Sequence, residues 1–214
     1  MADLLGARAD RDHSGRVEIR FSGSGGQGML LAAAIVAEAA TAQGEHVAQT
    51  QTYGPEARGG AAKAEVIVAH DDIDYPEVLT PDISLVLSQA AYAKYAGDTA
   101  AGGLLVYDSG LVDPAGAPES WTLCGLPFTQ AAADELGKTV VANIVSLGAL
   151  VAVSDVLPVD AVEQAVVSRV PERFRELNAE AFRLGLRLAR EAGDAAGAAG
   201  EEPSAAARAS APSA

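Results

Sequence analysis

The sequence predicts an α/β fold, a single domain with a mostly parallel sheet and helices on both faces in a Rossmann-like arrangement, and three observations predict it. Segments of strand character alternate with segments of helical character along the chain. Ile83 to Leu87 and Leu104 to Tyr107 are short, nearly continuous apolar runs, the pattern of parallel strands covered on both faces. A strand-like stretch also runs straight into a glycine turn, Gly23-Ser24-Gly25-Gly26-Gln27-Gly28, and out into an apolar helical segment.

Taken in order, residues 1–15 mix acids and bases and read as a flexible start, and the domain occupies residues 16–190. Val17 to Ser22 alternates apolar and polar as a strand does, and Met29 to Ala40 is almost wholly apolar, as a buried helix is. His46 to Tyr53 reads as the second strand, Gly54 to Gly60 as a turn, and Lys63 to Val68 as a third strand. Later, Asn143 is placed to cap a helix reaching Val153, and Asp160 with Glu163 resembles a capping box for another that ends near Pro171. The last helix sets Phe174, Leu177, Ala181, Leu184 and Leu188 on one stripe. Residues 191–214 are Ala, Ser, Gly, Pro and Glu without a large apolar side chain, so nothing offsets the entropy of ordering them, and they read as a disordered tail.

Composition narrows the partners. A chain of 214 residues is long enough to bury roughly 70% of its unfolded surface. With 5% aromatic residues and 22 glycines, packing relies on small side chains. A formal charge of −14 argues against nucleic acid and anionic membranes, which are held by clustered Lys and Arg. No segment has the apolar length of a membrane span or the core of a signal peptide, so a cytoplasmic protein is expected. The single cysteine, Cys124, forms no intrachain disulfide and is too few for an iron–sulfur cluster, and its apolar neighbours Trp121, Leu123 and Leu126 suit a buried inert thiol. His13, His46 and His70 are dispersed, without metal-ligand spacing. Asp71, Asp72 and Asp74 resemble a solvated turn.

In a parallel sheet, ligands gather beyond the carboxyl ends of the strands. That edge would bring together the Gly23–Gly28 loop, Tyr53 to Gly60, Ser88-Gln89 and Asp108-Ser109. Gly23, Gly25 and Gly28 match G-x-G-x-x-G, in which glycines admit close backbone approach and the helix start offers free N–H groups to an anion. The acidic residue that would hold a dinucleotide ribose is missing, because the second strand ends in Thr50, Gln51, Thr52 and Tyr53. Two readings of the glycines stand: a tight turn that only serves packing, or an anion or cofactor contact. Arg58, in Tyr53 to Gly60, suits a bidentate grip on a carboxylate or phosphate, or an ion pair with Glu56 or a partner. Gln49 and Gln51 share one strand face, which suits a polar interface or simple exposure to water.

GSGGQG at Gly23 to Gly28, QTQTYGPEARGG at Gln49 to Gly60, AEVIV at Ala64 to Val68 and DIDYPEV at Asp72 to Val78, in this order and spacing, resemble the gamma subunit of 2-oxoacid:ferredoxin oxidoreductases. The form YGPEARGG resembles the 2-oxoglutarate branch. The resemblance implies a complex that decarboxylates a 2-oxoacid oxidatively, passes the acyl group to coenzyme A and reduces ferredoxin. Thiamine diphosphate, Mg²⁺ and the [4Fe–4S] clusters are then expected on companion alpha and beta subunits, and on a delta subunit where one is present, with no catalytic residue in this chain. Gly23, Ser24, Gly25, Gly26, Gln27, Gly28 and Arg58 become candidate contacts to coenzyme A or to a companion subunit. The alternatives are a stand-alone dinucleotide-dependent oxidoreductase and a purely structural binding subunit.

Overall fold

The computed structural model describes residues 15–52 and 60–200. Six strands, β1 Arg16–Ser24, β2 His46–Thr52, β3 Ala61–Ala69, β4 Ile83–Val86, β5 Leu104–Asp108 and β6 Thr122–Leu126, form one sheet in the order β2-β3-β1-β4-β5-β6. Only β3 is reversed: it pairs antiparallel with both β1 and β2, while β1, β4, β5 and β6 pair in parallel. The mostly parallel sheet is thus present, and five of its strands point their carboxyl ends at one edge. Six helices accompany it: α1 Met29–Ala42, α2 Gln89–Tyr95, α3 Phe128–Leu136, α4 Ala142–Ser154, α5 Val159–Arg169 and α6 Arg175–Gly200.

The two-residue period of the strands divides the molecule. Val17, Ile19 and Phe21 of β1, Ala64, Val66 and Val68 of β3, Ile83 and Leu85 of β4, Leu104 and Val106 of β5, and Cys124 and Leu126 of β6 face a single large core shared with α1, α3, α4, α5 and α6. The other face carries Arg20, Ser22, Glu65 and Ser84, all buried, and a small apolar cluster of Val86, Tyr95, Leu105 and Val112 under α2. Helices therefore lie on both faces, but very unequally.

On the thick side α4 is buried almost throughout, because α6 covers the surface that α4 turns away from the sheet. Their backbones meet at two glycines. A Cβ at Gly148 would lie 2.1 Å from the Phe182 carbonyl oxygen, and one at Gly185 would lie 1.9 Å from that of Val145. Any side chain at either position would force the helices apart.

Several expectations about the helices change. Asn143 does not cap α4: a 3-10 turn over Thr139–Val141 runs directly into the helix, so its start precedes Asn143. Pro158 occupies the capping position of α5 and no side chain caps that helix, so the Asp160–Glu163 box does not form. Glu163 instead pairs with Arg183 of α6 at 2.6 Å. Phe174 precedes α6 in another 3-10 turn and is 41% exposed. The buried face of α6 centres on Ala181, Phe182, Gly185, Leu186 and Ala189, and is broad because α4 and α5 contact it from two sides. This helix continues to Gly200, ten residues past the expected boundary, so 191–200 is helical rather than without structure. Ala-rich sequence extends an existing helix at little cost because no new nucleus is needed. The sequence pattern alone does not mark β6, α2 or α3 as separate elements.

Candidate functional site at the carboxyl edge of the sheet

β1 ends in a tight turn at Gly25 and Gly26, and Gly28 then takes a left-handed backbone (φ 76°, ψ 23°) to start α1. Only glycine adopts that conformation at no steric cost. The turn is locked from within: the Ser24 N–H donates to Gln27 Oε1 at 2.6 Å, and Gln27 Nε2 donates to the Leu87 carbonyl at 3.0 Å, just past the end of β4. Gly23 makes room for this carboxamide, since a Cβ there would lie 2.7 Å from Gln27 Oε1. The Gly25 N–H donates to Gly60 O at 3.2 Å, which ties the loop to the entry of β3.

What remains is electropositive by construction. The N–H groups of Met29, Leu30 and Leu31 have no acceptor inside α1. No side chain caps the helix, and its first turn carries no acidic residue. Gly25 and Gly26 are exposed beside it. Backbone amides and the helix dipole together suit an anion such as a phosphate.

The structure brings three of the four expected segments to one edge: the glycine loop, Ser88-Gln89 and Asp108-Ser109. From the fourth, Gly60 is present there, whereas residues 53–59, and with them Arg58, lie outside the described residues. The Ser88 hydroxyl accepts from Ala91 N–H and caps α2. Asp108 is fully buried and accepts from Gly110 N–H, Thr129 N–H and the Thr129 hydroxyl at 2.6–3.0 Å, so it fixes the exit of β5 and the start of α3. Gln49 and Gln51 are both exposed on β2, an edge strand, and with Thr50, Leu30, Leu31, Ala34 and Arg169 they line a groove of about 490 Å³ beside the first turns of α1.

One residue of the site escaped the sequence reading. Asn143, remote in the chain and 4% exposed, donates from Nδ2 to the Gly28 carbonyl at 3.2 Å. An amide two residues into an apolar helix reads as a cap, and only the tertiary fold brings it to the loop.

Other candidates lie elsewhere. His46 and His70 pair with Asp72 and Glu45 at the opposite, amino edge. Cys124 is buried in the main core, and burial pushes its thiol up to about 12, which suits the inert role. Among the described residues no group of three or more His, Cys, Asp or Glu could hold a metal ion, and no helix is long and apolar enough to cross a membrane.

The topology also bears on the dinucleotide alternative. β3 lies between β1 and β2, so the end of β2 is two strands removed from the glycine loop rather than beside it, and neither Thr50, Gln51 nor Thr52 is acidic. The carboxylate that grips a ribose in such sites has no counterpart at that position.

Residues 18–188 match the family model described as pyruvate ferredoxin/flavodoxin oxidoreductase. The chain is 44% identical over 178 residues, 82% of its own length and 95% of the relative's, to the 2-oxoglutarate synthase subunit KorC of Methanocaldococcus jannaschii. Among solved structures, the gamma subunit of a keto/oxoacid ferredoxin oxidoreductase from Geobacter sulfurreducens superposes with a TM-score of 0.75 at 45% identity, over 84% of this chain and 99% of that one. A 2-oxoglutarate:ferredoxin oxidoreductase from Magnetococcus marinus, solved with 2-oxoglutarate, coenzyme A and succinyl-CoA bound, gives a TM-score of 0.74 at 25% identity, over 84% of this chain and 32% of that one. The family model, the relatives and the superposition agree, and the chain belongs to the pyruvate ferredoxin/flavodoxin oxidoreductase family, with the fold of its gamma subunits.

Proposed function

We propose that this chain is the gamma subunit of a cytoplasmic 2-oxoglutarate:ferredoxin oxidoreductase and that its glycine loop receives the phosphates of coenzyme A. The observation that carries the site is the uncapped start of α1 beside the exposed Gly25-Gly26 turn, at the edge where the strands end. Its donor set fits a phosphate: fixed N–H groups and no acidic residue in the first turn. The 2-oxoglutarate relatives supply the branch, and the bound coenzyme A of the Magnetococcus marinus enzyme supplies the ligand class.

In this reading the complex converts a 2-oxoacid, coenzyme A and oxidised ferredoxin to an acyl-CoA, carbon dioxide and reduced ferredoxin. Thiamine diphosphate with Mg²⁺ supplies the decarboxylation chemistry and [4Fe–4S] clusters the electron path, both on companion alpha, beta or delta subunits. This chain contributes binding and orientation. Gly25, Gly26 and the first turn of α1 offer amides to the phosphates, Gln27 and the Gly23 gap hold the turn in shape, and Arg58 adds a cation.

Purification of the native complex under anaerobic conditions, followed by mass determination and an absorption spectrum, is expected to recover thiamine- and cluster-bearing partners. Arg58→Ala is expected to raise the KM for coenzyme A or loosen assembly; unchanged kinetics together with an unchanged complex mass would remove Arg58 from the site. A purified solitary chain that turned over a substrate with a nicotinamide or flavin would overturn the assignment.

A further inference from the structure

We infer that Asn143 is a positioning residue for the glycine loop, setting the direction in which the first amide of α1 points; this rests on the reading that the loop binds coenzyme A. Asn143 is 115 positions from Gly28 in sequence and 4% exposed, and its side chain does not cap its own helix. Its backbone carbonyl accepts from the Ser146 hydroxyl, while its carboxamide leaves α4 and donates to the Gly28 carbonyl. The same carbonyl accepts the first bond of α1, from Ala32 N–H at 3.1 Å.

The consequence follows from the planarity of the peptide unit. The carbonyl of Gly28 and the N–H of Met29 belong to one trans peptide and point in opposite directions. Two donors that hold the carbonyl from inside the molecule therefore aim the Met29 N–H outward, toward the exposed turn. A hydrogen bond to the carbonyl also polarises the peptide and strengthens its N–H as a donor. The approach is close enough to demand glycine: a Cβ at Gly28 would stand 2.4 Å from Asn143 Nδ2. Gly28 has a left-handed backbone where the exposed turn passes into the helix, and its carbonyl is held from outside the turn by Asn143. Gln27 anchors the loop to β4 and Asn143 anchors it to α4, two carboxamides gripping one turn from two elements.

The test uses the assembled complex and coenzyme A itself. Gly26→Asp and Gly26→Asn place a charged and a neutral side chain of equal size where no described residue lies within 4 Å, and the strain of a side chain at φ 96° is common to both, so their difference reads the charge. If the loop holds phosphates, the Asp variant raises the KM for coenzyme A well above the Asn variant. Asn143→Ala, or Asn143→Asp if the alanine variant fails to assemble, is expected to raise that KM by on the order of tenfold, while kcat at saturating coenzyme A and the KM for 2-oxoglutarate change less than about twofold. A merely structural role would lower the yield and melting temperature of the complex but leave the KM of the assembled fraction alone. An Asn143 variant with wild-type KM for coenzyme A, while the two Gly26 variants differ, overturns the positioning role only. Equal KM values for the two Gly26 variants overturn the underlying reading.

Discussion

The two faces of the sheet solve burial in opposite ways. The face toward α1, α4 and α6 is apolar and two helical layers deep, with glycines letting the layers touch. The face toward α2 buries a charge network instead. Arg20, 2% exposed, donates from Nε to Glu65 Oε1 at 2.7 Å, from Nη1 to Asp98 Oδ2 at 2.5 Å and to the Tyr95 carbonyl, and from Nη2 to the Val78 carbonyl. Glu65 also receives Lys63 Nζ at 2.8 Å and the Thr50 hydroxyl. One guanidinium thus holds β1, β3, the turn after α2 and the segment before β4. The lesson is that a thin face covered by a seven-residue helix gains its order from directional polar bonds, where the thick face gains it from area.

That contrast can be broken from either side. Arg20→Ala leaves Glu65 only Lys63 and the Thr50 hydroxyl, and Glu65→Ala leaves Arg20 only the half-exposed Asp98 and two carbonyls, so urea denaturation is expected to show a loss of about 3 kcal/mol, the low end for a broken buried pair. Replacing both with apolar residues should recover part of that loss, which a single deletion cannot. On the thick face, Gly185→Ala forces a methyl against the α4 backbone and is expected to cost about 1–3 kcal/mol in the same measurement. If Gly185→Ala proved harmless, the close approach of α4 and α6 would be wrong.

Cys124 tests how dry that core is. Because burial raises its thiol to about 12, the folded state binds this proton more tightly than the unfolded state. The resulting stability is complete below the ordinary thiol range near 9 and declines as pH rises from there toward about 12. Native protein at pH 8 should resist iodoacetamide and react only in denaturant, and rapid native labelling would contradict the burial. The smallest effect belongs to the surface: Arg187 pairs with Glu135 while both are about half exposed, and Arg187→Ala should cost under about 1 kcal/mol, less still in high salt.

Much of the site was legible because it is local in sequence. Gly23 to Gly28 announces a strand-to-helix turn through glycine spacing alone, and the apolar runs of β4 and β5 announce buried strands through their length. β6 was harder to read: Thr122–Leu126 has an exposed Leu123 and Gly125 facing outward, so the run lacks both clean alternation and a continuous apolar stretch. The reversal of β3 was hidden as well, since a strand's pattern says which residues share a face but not which way the chain runs. The alternation of Lys63 and Glu65 with Ala64 and Val66 does not reveal that Glu65 is buried, because its partners come from β1, β2 and its own strand.

By itself, the sequence determined the fold class, the glycine turn and the family resemblance, because each depends on residues a few positions apart. Only the tertiary structure decided that Asn143 grips Gly28, that Arg20 is buried among carboxylates and carbonyls, and that Gly148 and Gly185 join two helices. Those contacts close over tens of residues or more, and the physical need they satisfy, a partner for a buried polar group or room for a backbone, exists only once the chain has folded.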